Sequence, residues 1–238
     1  MIYQASSVRM PELEDESVHA IITSPPYPMI EKWDECFASQ KAKKWPDQIG
    51  MILAVLQEGI RTLVPGGIIC LNIGDSTRTV DKNFTCYPNY AALTFLLALK
   101  GQVTPLIPIF WKKISNRPNA FLGSGFLPVN AYIAQDHEYV GIFRKGTLRQ
   151  FNGDEQIRRK KSVFTKEERD LWFQQVWNIQ GKKGAKKDSG WPREIPYRLM
   201  RMFTIEGDTI LDPFCGPGEE ELYNEFNRKF IGYEIGDV

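Results

Sequence analysis

The sequence predicts an α/β fold built on a mainly parallel sheet with helices on both faces. Apolar strand-like segments alternate along the chain with segments of helical periodicity, several strand-like segments are continuously apolar, and a glycine-containing loop follows one of them near the carboxyl end. Strands of this kind are typical of parallel sheets that helices cover. With 238 residues, the chain can form one large domain, or one domain with a small insertion.

Strands and helices alternate through the first half of the chain. Apolar residues recur at helical spacing over 49–63, and Pro65-Gly66-Gly67 ends that helix. Residues 28–48 lack clear periodicity, so we expect a loop with a helical piece that could act as a lid. The other elements predicted in this half are strands at 2–4, 18–22, 68–73 and 106–111, and a helix at 90–99.

The second half continues the alternation after one interruption. A Gly/Pro/Asn-rich loop at 116–130 precedes a strand at 137–143, and 144–187 then breaks the pattern with a helix at 166–176. We interpret this segment as a small inserted lobe. The predicted division is therefore 1–143, 144–187 and 188–238, the last with helices at 192–203 and 219–226 and strands at 209–211 and 230–235.

Charge is concentrated in the inserted segment, although the net charge of the whole chain is only +1. Between Arg144 and Lys187 the sequence has thirteen Lys or Arg against five Asp or Glu, interleaved with aromatic residues. A basic region of this kind on a nearly neutral scaffold is typical of a nucleic-acid-binding surface. A solvated basic surface without a partner is the alternative interpretation.

The cysteine and histidine content favours a reduced protein without a metal centre. The four cysteines have no paired spacing, and with two histidines they form no recognisable zinc motif. No signal peptide opens the sequence, and the longest apolar stretch, around 90–99, is too short and too interrupted to cross a bilayer. We therefore expect a cytoplasmic protein that binds neither a metal nor a membrane.

Thr23-Ser24-Pro25-Pro26-Tyr27, here called the proline corner, follows the predicted strand 18–22. Two consecutive prolines fix their own φ angles and keep the preceding residue extended, so the backbone leaves the strand along one stiff path. Pro25 and Pro26 have no amide hydrogens, which leaves the Ser24 hydroxyl and nearby carbonyls as acceptors beside the Tyr27 ring. This arrangement suits a planar ring with an amino group. A simple proline-terminated strand is the alternative.

Asp212-Pro213-Phe214-Cys215-Gly216-Pro217-Gly218, here called the glycine loop, follows a predicted strand and opens a helix. Its glycines allow a tight turn and a close ligand approach, and Glu234 ends the next strand, where a carboxylate can accept hydrogen bonds from ribose hydroxyls. One strand–helix–strand unit cannot bury its own sheet, so the other strands must come from the N-terminal part. This order predicts a permuted nucleotide-binding fold in which both signatures lie at carboxyl ends of strands.

Taken together, these motifs resemble the β-class amino-methyltransferases of DNA. In that family, a Ser-Pro-Pro-Tyr or Asp-Pro-Pro-Tyr motif precedes a target-recognition region, and an Asp-Pro-Phe-x-Gly-x-Gly motif closes the chain. The resemblance covers nearly the whole length, because similar residues occur in the same order at 2–4, 16–18, 22–27, 65–67, 73–75, 111–112, 137–145 and 191–199. It implies a Rossmann-like methyltransferase fold, circularly permuted, with a mixed, mostly parallel sheet and a small inserted target-recognition lobe. In that fold, 1–143 would be the catalytic half of the α/β domain, 144–187 the basic target-recognition region and 188–238 the cofactor-binding half of the same domain.

The resemblance also implies a cofactor and a set of site residues. The cofactor is S-adenosylmethionine, and the residues implied to hold it are Asp212, Pro213, Phe214, Cys215, Gly216, Gly218, Glu219, Glu234, Trp191 and Pro192. Catalysis would fall to Ser24, Pro25, Pro26 and Tyr27, with the base extruded from duplex DNA and stacked on Tyr27. The surplus proton would leave by Ser24, Asp75 or water. The expected DNA contacts are Arg158, Arg159, Lys160, Lys161, Lys182 and Lys183.

The substrate and partners implied by the resemblance leave alternatives open. The serine form of the corner is commoner for N4 of cytosine and the aspartate form for N6 of adenine, so cytosine is the favoured target. Glu219-Glu220-Glu221 stand where the family usually has small hydroxyl residues, which keeps a catalytically weakened DNA-binding homologue as another alternative. RNA or a protein amide is a less favoured substrate. A monomer or homodimer, and a separately acting restriction endonuclease, are compatible with the resemblance.

Overall fold

The computed structural model describes residues 1–114, 128, 133, 135–181, 190–216, 218 and 220–236. The strands found there are β1 (Ile2–Gln4), β2 (Val18–Thr23), β3 (Leu63–Ile73), β4 (Ser76–Val80), β5 (Asn83–Tyr87), β6 (Val103–Pro105), β7 (Ile109–Ile114), β8 (His137–Lys145), β9 (Val176–Gln180), β10 (Thr209–Asp212) and β11 (Lys229–Glu234). The helices are α1 (Asp34–Ser39), α2 (Trp45–Thr62), α3 (Asn89–Leu99), α4 (Asp154–Lys161), α5 (Lys166–Trp172), α6 (Glu194–Phe203) and α7 (Glu220–Glu225), with a short 3-10 helix at Glu31–Trp33.

The main sheet has the strand order β1-β11-β10-β2-β3-β8-β7-β9, and β6 also pairs with β8. All pairs from β1 to β3 are parallel, as is β7 with β9, whereas β8 runs antiparallel to β3 and β7. Strand β10, from the last part of the chain, pairs directly with β2 from the first, with Leu211 opposite Ile21. The predicted mixed, mostly parallel and permuted sheet is therefore confirmed.

Helices cover both faces of this sheet because the buried strands are apolar on both sides. Along β2, Ile21 belongs to the core under α1, α2 and α3, while its neighbours Ala20 and Ile22 belong to the core under α6 and α7. This alternation follows from the two-residue period of a strand. Among the described residues, none of the helices is long and apolar enough to cross a membrane.

Several elements differ from the sequence prediction, among them strand β6, which was not predicted. The hairpin of β4 and β5 forms a separate two-stranded sheet that the polar segment 76–87 did not reveal. Helix α4 was not predicted because the stretch 154–161 has almost no apolar residues, and no buried ones, to show a helical period. The helix predicted at 166–176 ends at Trp172, and a short turn then leads into β9.

Part of the range 144–187 belongs to the main sheet rather than to a separate lobe. Its strand β9 pairs in parallel with β7 at the edge of the main sheet, where Trp177 lies opposite Trp111. Both indoles are buried in the second core, and the alternation of exposed and buried residues along β9 is that of a sheet strand. The boundary predicted at 187 therefore does not separate the sheet from the inserted segment. The predicted loop at 116–130 lies almost entirely outside the described residues.

Candidate active site

A cavity of about 910 Å³ opens at the carboxyl edge of the parallel strands, between the proline corner and the glycine loop. This edge is where open α/β sheets bind their ligands. The two motifs are nearly two hundred residues apart in sequence, and the pairing of β10 with β2 brings them together. The predicted site residues that line the cavity are Ser24, Pro25, Pro26, Tyr27, Trp191, Asp212, Pro213, Phe214, Cys215, Gly216, Gly218 and Glu234.

A buried hydrogen bond joins the two motifs directly. The Thr23 hydroxyl donates to Asp212 Oδ1 at 2.6 Å, and the same oxygen accepts from the amide of Phe214 at 3.0 Å. Both Thr23 and Asp212 end their strands and are almost fully buried. Asp212 therefore orients the corner and the loop relative to each other.

The glycine loop turns sharply under the end of β11. Gly216 and Gly218 both have positive φ angles, at 52° and 77°, a backbone conformation that residues with a side chain rarely adopt. The Gly216 amide donates to Glu234 Oε2 at 2.9 Å, and the amides of Ile235 and Gly236 donate to Glu234 Oε1 at 2.9 Å each. These three donors fix the Glu234 carboxylate at the wall of the cavity, with acceptor capacity left for a ligand.

The proline corner is backed by a network of polar side chains. Tyr27 donates from its hydroxyl to Glu138 Oε2 at 2.7 Å, and Asn72 Nδ2 lies 2.7 Å from the same hydroxyl and 3.3 Å from Ser24 Oγ. Burial raises the pKa of Tyr27 well above its usual value, and the neighbouring Glu138 raises it further. Tyr27 therefore stays protonated in the working pH range, with its orientation set by Glu138.

Three polar residues behind the proline corner were missed in the sequence: Asn72 on β3, Glu138 on β8 and Lys113 on β7. Asn72 and Glu138 are buried, and Lys113 pairs with Glu138 Oε1. A signal for two of them existed. Asn72 is an isolated polar residue in an apolar strand, and Glu138 is a carboxylate within a predicted buried strand, and such groups need partners or a function.

Two predicted site residues lie away from the cavity. Asp75 follows β3, but its carboxylate accepts from the backbone amide of Tyr90 at 3.1 Å, in the first turn of α3. Burial raises its pKa, yet it does not line the cavity, so the structure does not support Asp75 as the exit for a proton. Pro192 begins the turn into α6, where its carbonyl accepts from Ile195 at 2.9 Å, and only its neighbour Trp191 reaches the cavity.

The basic residues of α4 that were expected to bind DNA lie near the amino ends of the parallel strands, here called the amino edge, away from the cavity. Arg158 donates to the carbonyl of Glu206 at 2.7 Å, just before the amino end of β10, and Arg159 stacks on Phe151. Strand β10 alone separates this position from the glycine loop by roughly 13 Å. Arg158, Arg159, Lys160 and Lys161 therefore lie away from the cavity. This position does not favour their expected contact with DNA, which stays a prediction.

Three further predicted residues, Lys182, Lys183 and Glu219, lie outside the described residues. Gly181 and Gly190, which flank the first two in the described chain, both line the cavity. The acidic residues after Glu219 do not: Glu220 accepts from the N-terminal ammonium at 2.6 Å, and Glu221 is exposed. In the described chain, the departure from the family pattern therefore places no acidic side chain of α7 in the cavity.

The remaining titratable group of the loop is the thiol of Cys215. Burial raises its pKa to about 12, and the carboxylates of Asp212 and Glu234 contribute to the shift. The thiol stays protonated and is unsuited to act as a nucleophile. Among the described residues, no group of three or more His, Cys, Asp or Glu side chains is placed to hold a metal ion.

Comparison with known proteins gives a consistent result. A family model described as DNA methylase, covering the N6 and N4 amino-methyltransferases, matches residues 18–238. The type II methyltransferase M.MjaI of Methanocaldococcus jannaschii is 46% identical, over 95% of this chain and 84% of that protein. The type II methyltransferase M.MthZI of Methanothermobacter thermautotrophicus is 38% identical, over 98% of this chain and 72% of that protein.

A solved structure shows the same architecture. It is a protein of Thermus thermophilus described as a putative DNA modification methylase, in complex with S-adenosyl-L-methionine. It superimposes with a TM-score of 0.76 at 27% identity, over 99% of this chain and 87% of that chain.

Proposed function

The chain belongs to the DNA methylase family of N6 and N4 amino-methyltransferases, and we propose that it transfers a methyl group from S-adenosylmethionine to N4 of cytosine in duplex DNA. The observation that carries this proposal is the shared cavity. An acceptor-rich corner and a nucleotide-type loop face one space, and the Thr23–Asp212 hydrogen bond fixes them relative to each other. The serine of the corner favours cytosine over adenine.

The residues present fit S-adenosylmethionine. Glu234 is a fixed carboxylate at the end of β11, suited to accept hydrogen bonds from ribose hydroxyls. A Cβ atom added at Gly216 would meet no atom within 4 Å, so the loop leaves open space there. The cavity volume also lies within the range of small-molecule pockets, roughly 300–1,000 Å³. Phe214, Gly218 and Trp191 complete the proposed cofactor wall.

The reaction requires the protein to activate a weak nucleophile. S-adenosylmethionine supplies an electrophilic methyl group on a sulfonium. The exocyclic amine of cytosine has its lone pair delocalised into the ring, so it attacks poorly unless both hydrogens are held out of the ring plane. We assign this task to the Ser24 hydroxyl and the Pro25 carbonyl, whose positions the prolines fix in advance.

The proline corner also determines how the base is held. A base inside a duplex cannot reach a cavity at the edge of a sheet, so the target must be extruded. The Tyr27 ring lines the cavity, with its hydroxyl held by Glu138, and it offers a preorganised surface for stacking. Holding the base at a fixed distance from the methyl group supplies much of the rate acceleration.

The test uses duplex DNA and S-adenosylmethionine with a trideuterated methyl group, followed by digestion and mass analysis of the nucleosides. We expect a deoxycytidine heavier by one trideuterated methyl group. It should have the chromatographic retention time of the N4-methyl standard rather than that of the C5-methyl standard. The Ser24→Ala variant should give no label above background in the same assay. Label on deoxyadenosine would overturn the cytosine assignment while keeping the family chemistry, and no label on any base would overturn the proposal.

A further inference from the structure

The network behind the proline corner has more polar groups than are needed to hold one tyrosine. We propose that Glu138 is the final acceptor of the proton that the methylated amine must lose, reached through the hydroxyls of Ser24 and Tyr27. This inference rests on the proposed methyl transfer and names the proton route that the proposed reaction leaves open.

The three oxygens form a continuous path. Ser24 Oγ lies 3.4 Å from the Tyr27 hydroxyl, and that hydroxyl lies 2.7 Å from Glu138 Oε2. The elevated pKa of Tyr27, caused by burial and by Glu138, means that the phenol does not itself remain ionised and can only pass a proton on. The path starts at the group that we assign to the amine and ends at the carboxylate.

Asn72 holds this path together. Its Nδ2 lies 2.7 Å from the Tyr27 hydroxyl, 2.9 Å from Glu138 Oε2 and 3.3 Å from Ser24 Oγ, so two amide hydrogens serve three acceptors. Its Oδ1 is buried without a hydrogen-bond partner in the described chain. The reverse orientation would place an amide oxygen against the carboxylate. Leaving this oxygen without a partner costs roughly 1–3 kcal/mol, and the amide orientation that does so keeps the path aligned.

Lys113 compensates the charge of the carboxylate. Lys113 Nζ pairs with Glu138 Oε1, the oxygen that the network does not use. Glu138 is only 8% exposed, whereas the Lys113 side chain is 43% exposed. A buried carboxylate needs a paired cation to offset the cost of its charge, and Glu138 itself lines the cavity, where it can release a proton to solvent. The titratable groups that touch Glu138 are therefore Tyr27 from the corner and Lys113 from β7, while the adjacent His137 turns to Asp136.

The proton balance closes along this path. As the bond from N4 to the methyl carbon forms, the carbon–sulfur bond breaks and its electron pair stays on sulfur. The nitrogen then carries one proton too many. Ser24 Oγ takes this proton while its own hydroxyl proton moves to Tyr27, and the Tyr27 proton moves to Glu138. The result is a neutral methylated base and a protonated Glu138, which releases the proton to solvent.

The experiment measures single-turnover methyl transfer across a pH series for the wild type, Glu138→Gln, Tyr27→Phe and the double variant. Glutamine keeps the size of the carboxylate and one oxygen that can accept from Tyr27 and Asn72, and phenylalanine keeps the ring. We expect each single variant to slow transfer by roughly a hundredfold, as for loss of a general base. The double variant should be no slower than the slower single variant, because either change interrupts the same path. Glu138→Gln should also change the pH dependence of the rate, because it removes the group that takes up the proton.

Binding controls separate this role from a structural one. The affinities for S-adenosylmethionine and for the duplex should change less than about twofold, and Glu16→Gln, at the amino edge, should match the wild type. Wild-type rates and an unchanged pH profile in Glu138→Gln would refute the proton path while leaving the proposed function intact. Additive losses in the double variant, or weakened binding, would show a structural role and also refute it. Absence of methylation by the wild type would instead refute the proposed function.

Discussion

Polar and charged side chains lie at both ends of the parallel strands, but they differ in what they contact. At the carboxyl edge, polar groups line a cavity, and Asn72 keeps an oxygen that has no partner within the described chain. At the amino edge, the same kinds of groups are paired: Arg149 binds Asp208 through two hydrogen bonds of 2.6 and 3.0 Å and also reaches Glu155 at 2.8 Å.

This difference distinguishes polar groups that stabilise the fold from polar groups that line the site. Polar groups at the amino edge satisfy one another, so they close the end of the sheet and attach the segment of α4 to it. Polar groups at the carboxyl edge are held in place but keep capacity for a ligand. Charge density in the sequence does not distinguish these two situations, and the strand order does.

Replacement of Ser24 by alanine should have the largest effect. The variant removes the acceptor that we assign to the target amine, so methyl transfer should fall by at least roughly a hundredfold, while the fold persists. The measurement is single-turnover transfer together with the thermal unfolding midpoint. Ser17, just before the amino end of the same strand, provides the matched control, and Ser17→Ala should retain the wild-type rate. Equal losses in both variants would contradict the contrast between the edges.

Replacement of Arg149 by alanine should affect stability instead. Asp208 is fully buried, and removing its partner should lower the free energy of unfolding by about 3 kcal/mol. Arg149 also lowers the pKa of Glu155 through a hydrogen bond, so this part of the stabilisation is present at neutral pH and lost as the pH falls through the lowered pKa. Urea titration measures the change. Arg169→Ala, at an exposed position, should change stability by no more than about 0.5 kcal/mol.

Replacement of Glu234 by glutamine should weaken binding of the cofactor. Loss of the charge weakens hydrogen bonds from ribose hydroxyls and from the Gly216 amide, so the Kd for S-adenosylmethionine should rise by roughly tenfold to a hundredfold. Isothermal titration calorimetry measures this. Glu206→Gln, before the amino end of β10, should bind the cofactor as the wild type does. An unchanged Kd for Glu234→Gln would place the ribose elsewhere.

The smallest effect is expected for the basic residues of α4. Lys160→Ala combined with Lys161→Ala should leave the salt dependence of duplex binding unchanged, because α4 is attached to the amino edge. Lys32 is exposed and lines the cavity, and Lys32→Ala should lower the slope of log K against log salt by about one. Fluorescence titration at several salt concentrations gives both slopes. A reduced slope for the α4 variant would restore the sequence-based expectation.

The sequence was sufficient for the fold class and for the two motifs of the cavity, because their signals are local. The prolines of the corner, the glycines of the loop and the apolar strands before them each determine a backbone path by themselves. The order of motifs then predicted that the first and last parts share one sheet.

The rest depended on contacts between distant residues. Whether Asp75 faces the cavity depends on the start of α3, and the place of Arg158 depends on its bond to Glu206. Neither contact leaves a pattern in the local sequence. Asn72 and Glu138 did leave one, since each is polar within a buried strand, but their shared partner Tyr27 was apparent only in three dimensions.

Hydrogen–deuterium exchange with and without S-adenosylmethionine and a duplex tests most directly whether the ligands bind at the carboxyl edge, because it maps both edges in one measurement. We expect slower exchange in peptides that cover the proline corner, residues 212–216 and residues 234–236, with unchanged exchange in peptides that cover 146–162 and 204–209. Protection of the amino-edge peptides, with none at the corner and the glycine loop, would contradict this expectation.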